Sequence, residues 1–398
     1  MPTNGQRLRS ATSHFLRPIS RYIILLYAQP PSLAMKVAII GSGPSGSYAA
    51  YCIAKSGFDV TIYEEHEQAG LPVHCTGLCT KALWDLVPRN DDIIKNTCDK
   101  VRLKLPSGTV EEFPMTEYVL DRGRFDQWLV QRALDAGAKI QYGSEFVGMK
   151  DGQPLIRSKS QTTSVPVDYL VGADGPNSAV AKANGLFIDR RFYIALQARV
   201  EKRWDAKSFD VWFGSKAPEF FAWSVPESAT ISRVGLAMRR GAKPYFDALL
   251  KEVGGKIVDY QAGPLPIYNG RPCSKGNVFL VGDAGTLSKA TTGGGIITGM
   301  LSGKALASAL LKGTSYEKEL KPLRKELRIH YWLRRVLNTF SDQEYERLVR
   351  RMSTPKVRRI LAEHPREFPS RFVLKLLLAQ PGFLFHSKKF IKTLATKL

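Results

Sequence analysis

The stretch that decides the fold runs from Lys36 to Glu64 and reads KVAIIGSGPSGSYAAYCIAKSGFDVTIYE. An apolar run at 37–40 leads into a glycine turn, a helical pattern follows, and a second apolar run at 60–63 ends at an acidic residue. This order of strand, glycine turn, helix, strand and acid predicts a Rossmann-like βαβ unit. Such a unit binds a dinucleotide, because the turn places backbone N–H groups at the start of the helix, facing a pyrophosphate.

The residues of this turn have separate predicted roles. Gly41 permits the tight turn, Gly43 lets the backbone approach the pyrophosphate, and Gly46 lets helix and strand pack closely. The helix start around Ser45 presents free N–H groups and a partial positive charge to the phosphates. Glu64, 18 residues after Gly46, suits the hydroxyls of an adenosine ribose. Because a carboxylate repels a 2′-phosphate, FAD or NAD fits better than NADP.

A later glycine-rich segment favours FAD among these dinucleotides. The run 277–281, NVFLV, reads as a buried strand that ends in Gly282 and Asp283. A helix rich in small residues then opens on three further candidate cofactor contacts, Gly294, Gly295 and Ile296. An acid just past a strand end can hold the ribityl hydroxyls of a flavin, and a glycine-rich helix start can lie against its polar edge.

Two more segments complete the flavin pattern. The apolar run 169–171 ends in Gly172 and is followed by Asp174, and Arg122 opens a helical segment earlier in the chain. Each alone is compatible with an ordinary strand-to-helix turn. In this order, the segments resemble the flavoproteins of the hydroxylase-like glutathione-reductase class. The resemblance implies FAD as the cofactor, with Arg122, Asp174 and Asp283 in its site.

Three motifs resemble one family within that class, the geranylgeranyl reductases. Residues 72–77, PVHCTG, match the family's Pro-x-x-Cys-x-Gly motif, 221–226, FAWSVP, are similar to its Tyr-x-Trp-x-Phe-Pro motif, and 292–296 fit its flavin loop. The resemblance runs from Met35 to about Leu311. The chain departs from the family at Phe221, where the family has Tyr, and at Val225, where it has Phe, so a tyrosine hydroxyl is missing.

The resemblance implies the hydrogenation of prenyl double bonds by reduced FAD, in archaeal-type lipids or a related isoprenoid. Cys75 lies in the loop that the family places beside the flavin, and is the candidate catalytic residue for positioning or proton supply. The alternative for Cys75 is a small apolar core residue. The candidate substrate-binding residues are His74, Gly77, Phe221, Trp223 and Pro226. The aromatic residues among them are equally compatible with an ordinary strand core.

The predicted fold class is α/β, with a Rossmann-like FAD-binding domain, an inserted β-sheet substrate domain and a helical C-terminal part. The ranges are 1–34 for an N-terminal extension, 35–98, 119–186 and 270–313 for the FAD-binding domain, 99–118 and 187–269 for the substrate sheet, and 314–398 for the basic helical region. The extension is rich in Arg and free of acids. This composition suits a targeting presequence. We favour a disordered extension or an upstream start codon with Met35 as the initiator.

Composition limits the location and the metal chemistry. With 44% apolar and 24% charged residues, the chain is an ordinary globular protein. No apolar stretch approaches the ~20 residues of a spanning helix. Five cysteines are few and widely spaced, which favours a reduced, cytoplasmic setting. Cys75 and Cys79 have three residues between them, not the two of a redox pair or zinc knuckle, so we expect no metal site.

Charge is concentrated in the last part of the chain. Residues 315–398 carry 20 Lys and Arg against 8 Asp and Glu, and the whole chain has a net charge of +22. The cations, including Arg350, Arg351, Arg358 and Arg359, alternate with apolar residues. This pattern fits either a solvated helix face over a core or a peripheral membrane surface. We expect no nucleic-acid partner, because no recognition motif is present.

Three rival functions share these features. A flavin monooxygenase has the same fold, and a flavin halogenase has a Trp-x-Trp-x-Ile-Pro motif similar to 221–226. The halogenase requires a catalytic lysine near the flavin, for which Lys81 is the only candidate in the early loop. A non-catalytic flavin-bound membrane adaptor is the third. The chain has no second glycine-rich βαβ unit, so the expected electron donor is a transiently bound reduced nicotinamide or a ferredoxin-like protein.

Overall fold

The glycine turn connects two parallel strands, as the sequence predicts. In the computed structural model, which describes residues 34–386, strands and helices are numbered β1–β17 and α1–α10 along the chain. Strand β1 (Lys36–Ile40) leads through the turn into α1 (Pro44–Ala54), and β2 (Asp59–Tyr63) returns to pair with β1 in parallel. Apart from Ala34, the predicted N-terminal extension lies outside the described residues.

The βαβ unit forms the centre of a six-stranded sheet. Its strand order is β16 (Ser274–Lys275), β17 (Val278–Leu280), β10 (Tyr169–Gly172), β1, β2 and β6 (Lys139–Gln141). All neighbours are parallel except the pair of β16 and β17. The helices α2 (Arg122–Asp135) and α5 (Ile296–Lys312) pack on α1, and α3 (Ala179–Ala183) follows β10. Residues 37–40 are buried, which explains why β1 is continuously apolar rather than alternating.

A second, larger sheet has eight strands. Its strand order is β15 (Lys256–Pro266), β11 (Phe192–Glu201), β14 (Ile231–Met238), β13 (Ala222–Pro226), β12 (Ser208–Trp212), β4 (Ile94–Lys104), β5 (Val110–Leu120) and β3 (Leu78–Thr80). Only β12 and β4 are parallel. Helix α4 (Ala242–Val253) packs on β11 and β14.

The sheet boundaries differ from the predicted sequence ranges. Val119 and Leu120 were placed in the cofactor part but end β5 of the larger sheet. Residues up to 98 were expected in the cofactor part, yet β3 and the start of β4 pair with β5 in the larger sheet. The reason is the length of the β4–β5 hairpin, which extends well beyond the apolar alternation visible at 101–113. A separate three-stranded sheet was not foreseen and consists of β7 (Ser144–Lys150), β8 (Gln153–Ser158) and β9 (Gln161–Ser164).

The end of the described chain is helical. The helices are α6 (Tyr316–Glu319), α7 (Lys321–Leu337), α8 (Asp342–Met352), α9 (Pro355–Glu363) and α10 (Val373–Ala379), with 3-10 turns at Pro369–Arg371 and Pro381–His386. Helix α7 is a basic helix over a core, because Leu323, Leu327 and even Arg334 are buried. Within residues 34–386, no helix is long and apolar enough to cross a membrane.

Candidate flavin and substrate site

Two adjoining cavities lie at the carboxyl end of the cofactor sheet. The small cavity has a volume of about 360 Å³ and is lined by residues that follow β1, β2 and β10. The large cavity has a volume of about 890 Å³ and extends between the larger sheet and the C-terminal helices. Gly43, His74 and Arg122 line both, so the two cavities meet at the glycine turn and the 72–77 loop.

The three glycines of the turn occupy different environments. A Cβ at Gly43 would meet no protein atom within 4 Å, so this residue faces the open cleft. A Cβ at Gly46 would lie 2.0 Å from the carbonyl oxygen of Gly41, which makes Gly46 a packing residue. Gly41 has φ +101° and closes on the backbone of Ala173. Ser45 lines the large cavity. The turn therefore has the open cradle that a pyrophosphate requires.

Glu64 lies at the end of β2 and lines the small cavity. Its carboxylate accepts hydrogen bonds from the backbone N–H of Ser42 at 2.8 Å and from the Ser42 hydroxyl at 2.7 Å. His66 Nδ1 lies 2.7 Å from the other carboxylate oxygen. Burial alone would raise the pKa of Glu64, but the hydrogen bonds from Ser42 and His66 outweigh it and lower the pKa. Glu64 is therefore a fixed anion facing the small cavity.

Asp283 is a carboxylate aimed into the large cavity. It follows β17 and lies close enough to the 293–295 loop that a Cβ at Gly295 would be 2.7 Å from its Oδ1. No side chain or backbone group among the described residues donates a hydrogen bond to this carboxylate. Burial raises its pKa to about 6, against the opposing charges of Arg122 and Arg190. A free acceptor of this kind fits a ligand that carries hydroxyl groups, as the ribityl chain of a flavin does.

The other candidate residues between 282 and 296 either line the large cavity or pack inside the protein. Gly294 and Ile296 line the large cavity, with Ile296 at the start of α5. Gly282, by contrast, has φ +58° and packs against Ser45 and Gly299 outside the lining. Gly282 therefore shapes the turn that presents Asp283.

Asp174 borders the small cavity but already has partners within the chain. Its two oxygens accept hydrogen bonds from the Ser178 hydroxyl at 2.7 Å and from the backbone N–H of Val180 at 3.0 Å. Burial raises its pKa. Asp174 thus holds the start of α3, and this structural role accounts for an acid at that position without a cofactor.

Arg190 connects the two turns that carry Asp174 and Asp283, and the sequence did not reveal it. Its guanidinium donates to the carbonyl of Pro176 at 3.0 Å and to the carbonyl of Ala284, and it lies over the Phe187 ring at 4.3 Å. Burial lowers its pKa. Nothing in the local sequence marks this arginine, because both partners are distant in the chain.

Arg122 lies at the junction of the two cavities. It opens α2 and donates two hydrogen bonds to Asp126, at 3.0 and 2.7 Å. Burial alone would lower its pKa, but the Asp126 charge and the neighbouring Cys75 thiol raise it. Arg122 therefore remains a fixed cation beside Cys75.

Cys75 lines the large cavity and is held through its backbone. Its Sγ accepts the backbone N–H of Gly77 at 3.3 Å, and Arg233 donates to its carbonyl oxygen. Arg233 is itself buried and paired with Glu227. Gly77 has φ +75°, and a Cβ there would lie 2.7 Å from the carbonyl of Leu120. The thiol thus has a defined position at the cavity wall, fixed from the larger sheet.

The larger sheet also joins the two motifs through one buried amide. Gln197 Oε1 accepts hydrogen bonds from the Thr76 hydroxyl at 3.0 Å and from Trp223 Nε1 at 2.9 Å. Its Nε2 donates to Gln261 at 2.7 Å. The 72–77 loop and the aromatic motif, which are far apart in the sequence, therefore share a single polar contact beside the cavity.

Only part of the aromatic motif at 221–226 lines the large cavity. Phe221 and Trp223 line the large cavity, and Phe221 stacks on Phe220 with ring centroids 4.3 Å apart. Pro226 lies at the end of β13, outside the lining, where its carbonyl accepts a hydrogen bond from Asn96 at 2.9 Å. Pro226 is the last residue of β13, and the strand extends past the cavity at this end. Its predicted contact with substrate is not supported by this position.

The C-terminal helices contribute to the site through a buried polar cluster that the sequence did not indicate. Lys289, in the loop before the glycines, pairs with Glu367 at 2.5 Å, and Thr80 donates to the same carboxylate at 2.7 Å. Arg334 on α7 donates to the carbonyls of Ala290 at 3.2 Å and of Thr291. These contacts attach the loop at 289–295 to the C-terminal region. Helices α5 and α6 separate this loop from Arg334 in the sequence.

One predicted membrane cation is engaged elsewhere. Arg358 donates to Glu111 at 2.8 Å and lies over the Phe113 ring at 4.7 Å, so it holds α9 to β5 and lines the large cavity. Its guanidinium already has a carboxylate partner, so Arg358 contributes to the packing of α9 on β5. Lys81, the halogenase candidate, is exposed on a 3-10 turn and is not part of either lining.

No cluster of three or more metal-ligating His, Cys, Asp or Glu side chains occurs in residues 34–386. The described cysteines are all free.

Comparisons with known proteins identify the family and the relatives of this chain. The family described as "FAD binding domain" matches residues 34–245. Digeranylgeranylglycerophospholipid reductase 1 of Methanopyrus kandleri is 30% identical over 302 residues, which cover 67% of this chain and 78% of that protein. The digeranylgeranylglycerophospholipid reductase of Methanocella arvoryzae is 30% identical over 344 residues, which cover 77% of this chain and 88% of that protein.

Solved structures show the same fold. A geranylgeranyl bacteriochlorophyll reductase-like protein from Thermoplasma acidophilum superposes with a TM-score of 0.78 at 23% identity, covering 90% of this chain and 99% of that one. A flavin-dependent brominase superposes with a TM-score of 0.65 at 17% identity, covering 83% and 92%. At these identities the likeness concerns the fold, which reductases and halogenases share.

The open glycine cradle, the anion at Glu64 and the match at 34–245 define an FAD-dependent flavoprotein with a Rossmann-like cofactor sheet. The predicted fold class and cofactor are thereby confirmed. Within this class, the chain belongs to the digeranylgeranylglycerophospholipid reductase family. The predicted family and the assignment as an FAD-dependent oxidoreductase are confirmed as well, and halogenases share only the fold.

Proposed function

We propose that the protein hydrogenates prenyl C=C bonds of an isoprenoid lipid, as the names of its relatives indicate for them. The observation that supports this most is the large cavity of about 890 Å³. Flavin-side residues such as Gly294 and Asp283 line it together with Cys75. Much of the remaining wall is apolar, from Val101, Leu103, Phe209, Val211, Leu348 and Leu361. A long apolar chain fits such a wall.

The residues proposed to hold FAD are those on the cofactor sheet. Gly41, Gly43, Ser45 and Glu64 would bind the adenosine and pyrophosphate part, with Gly46 shaping the turn. The remaining proposed contacts are Arg122, Asp174, Asp283, Gly294, Gly295 and Ile296, and Gly282 shapes the turn that presents Asp283. Asp283 and the 294–296 loop suit the isoalloxazine and ribityl part, because both line the large cavity.

The chemistry requires a positioned alkene and a proton. Reduced FAD, when bound, supplies the hydride equivalent. An isolated alkene is a poor electrophile, so the wall must orient the chain closely and exclude water. Phe221 and Trp223 provide apolar surface for this, with His74 and Gly77 at the loop. Cys75 is the proposed group that positions the alkene or supplies its proton.

The electron donor and the location complete the proposal. Reduction by a transiently bound nicotinamide or by a ferredoxin-like protein fits a chain with a single glycine-rich βαβ unit. A lipid substrate favours a cytoplasmic protein that contacts the membrane peripherally. Mixing the oxidised enzyme anaerobically with each donor and recording the bleaching of flavin absorbance would identify the donor.

Anaerobic turnover tests the reaction. Enzyme whose flavin is chemically reduced is expected to saturate a geranylgeranyl glycerophospholipid in detergent without oxygen or halide, and mass spectrometry would count the added hydrogens. A product that forms only with oxygen or halide would contradict the reductase proposal. Bound flavin without any turnover would favour the adaptor.

Replacing Cys75 with alanine is expected to leave FAD bound but lower the rate of double-bond reduction by at least about tenfold, or to change how many bonds are reduced. The reason is its place at the cavity wall beside Arg122. The measurement is anaerobic turnover with product analysis by mass. Cys52→Ala is the matched control, because Cys52 is similarly half-buried but lies on α1 outside both linings. Unchanged rates and products would make Cys75 a packing residue.

A further inference from the structure

Helix α10 presents an apolar face that the other residues of the described range 34–386 leave exposed. None of its seven residues is buried. Leu374 and Leu378 are 66% and 72% exposed, and their spacing of one helical turn places them side by side. The two leucines therefore form one contiguous apolar patch rather than scattered single side chains, and contiguous patches are typical of interaction sites.

Cations surround this face. Residues 347–386 contain nine Lys and Arg against two Glu. Of these acids, Glu367 is buried against Lys289. Arg371 and Lys375 flank the leucines and are exposed, with Arg371 over the Phe368 ring at 4.4 Å and Lys375 donating to His364 at 3.0 Å. Exposed apolar side chains bordered by cations complement a surface with an apolar interior and anionic headgroups.

Helix α10 also contacts an element of the cavity wall. Helix α10 packs on α9, and α9 lines the large cavity through Leu361 and Arg358. A surface that binds α10 is therefore separated from the cavity lining by a single helix, α9. Arg350, Lys356 and Arg359, which are exposed on α8 and α9, extend the cationic border.

We propose that α10 docks the protein on an anionic lipid bilayer, with Leu374 and Leu378 inserted at the headgroup level and Arg371 and Lys375 meeting the phosphates. The inference rests on the proposed function, since it places the cavity beside the membrane that would hold a prenyl lipid. It assigns the membrane contact to a helix of seven residues rather than to the whole basic region.

Co-sedimentation with liposomes tests the proposal. The vesicles are phosphatidylglycerol and phosphatidylcholine in equal parts, at low salt. Leu374→Ser with Leu378→Ser is expected to weaken the partitioning of the full-length holoenzyme by at least about tenfold, because both apolar side chains are lost from the interface. Leu311→Ser is the matched control, since Leu311 is 62% exposed beside a lysine on α5, and it should partition like the parent.

The other occupants of this face give different results. If residues 387–398 cover α10, the double variant differs from the parent only after their removal. If a second copy covers it, light scattering shows a parent dimer and a monomeric double variant. Either result, or equal partitioning of parent and double variant, overturns the proposal.

Turnover separates the docking from the reaction itself. With prenyl lipid dispersed in detergent, the double variant should keep the parent rate and FAD content. Normal turnover with unchanged liposome binding removes the docking role alone. Strong liposome binding by a parent that reduces no prenyl lipid removes the proposed function alone.

Discussion

Replacing Gly43 with valine is expected to give a folded, colourless protein. Gly43 has φ −65° and ψ 177°, an extended conformation that a β-branched residue adopts readily, and a Cβ there meets no protein atom within 4 Å. The added side chain therefore occupies only the cleft, where it blocks the approach of a pyrophosphate. The measurement is flavin absorbance per mole of purified protein, with circular dichroism and urea unfolding of the apoprotein.

Gly46→Ala provides the contrast within the same turn. Its Cβ would lie 2.0 Å from the Gly41 carbonyl, a backbone atom that cannot move without opening the turn. This variant is expected to lose stability and flavin together, whereas Gly43→Val loses flavin with the apoprotein's stability preserved. Stoichiometric FAD in Gly43→Val would refute the assignment of the cleft.

The contrast shows which parts of the site are readable from sequence. The βαβ unit is local, so its turn, helix and acid follow from a single stretch of chain, and Gly43, Gly46 and Glu64 take the predicted positions. Asp174 shows the limit of the same reasoning. A strand ending in Gly and Asp predicts a cofactor contact, but it does not reveal that this carboxylate also accepts hydrogen bonds from the start of α3.

The parts that sequence reasoning missed depend on distant contacts. Gln197 accepts hydrogen bonds from Thr76 and Trp223, and Arg233 donates to the carbonyl of Cys75. Gln197 and Thr76 are more than 100 residues apart in the sequence, and so are Arg233 and Cys75. A glutamine or arginine within an ordinary strand carries no signal of such a role. The same limit applies to Pro226, because the motif does not show whether the end of the strand lies at the cavity or beyond it.

The C-terminal region illustrates how charge patterns mislead when partners are unseen. The sequence predicts a helical and basic region, and the structure has the helices α6–α10 there. What composition cannot show is that Arg334 and Arg358 are structural, while Arg371 and Lys375 are exposed. A test that replaces Arg358 would disturb the contact with Glu111 as well as the surface charge. For this reason the membrane experiment uses α10.

Replacing Lys289 with methionine is expected to destabilise the protein by about 3–5 kcal/mol, because it leaves the Glu367 carboxylate buried without its partner. The side chains of Lys289 and Glu367 are only 6% and 1% exposed. Glu367→Gln should be costly for the same reason, with Lys289 then unpaired. Urea unfolding at pH 7 in excess FAD measures these changes in the free energy of unfolding.

Two further variants separate the ion pair from general packing. Lys289→Met combined with Glu367→Gln is expected to cost less than the sum of the single changes, since no charge remains unpaired. Lys243→Met is the surface control, because the Lys243–Asp247 pair is exposed and such pairs contribute little. Additive losses in the double variant would contradict a coupled pair.

The pH dependence gives an independent check with a defined sign. Burial alone would raise the pKa of Glu367, but Lys289 and Arg366 hold it at about 2. A depressed carboxyl pKa stabilises the folded protein above the unfolded-state pKa of about 4.3, and this contribution is lost as the pH falls toward 2. The parent should therefore lose its advantage over Lys289→Met between about pH 4.3 and pH 2, and unfolding curves at stepped pH would show the gap narrowing. A gap that stays constant over this range would mean that Lys289 stabilises the loop by packing, without holding the charge of Glu367.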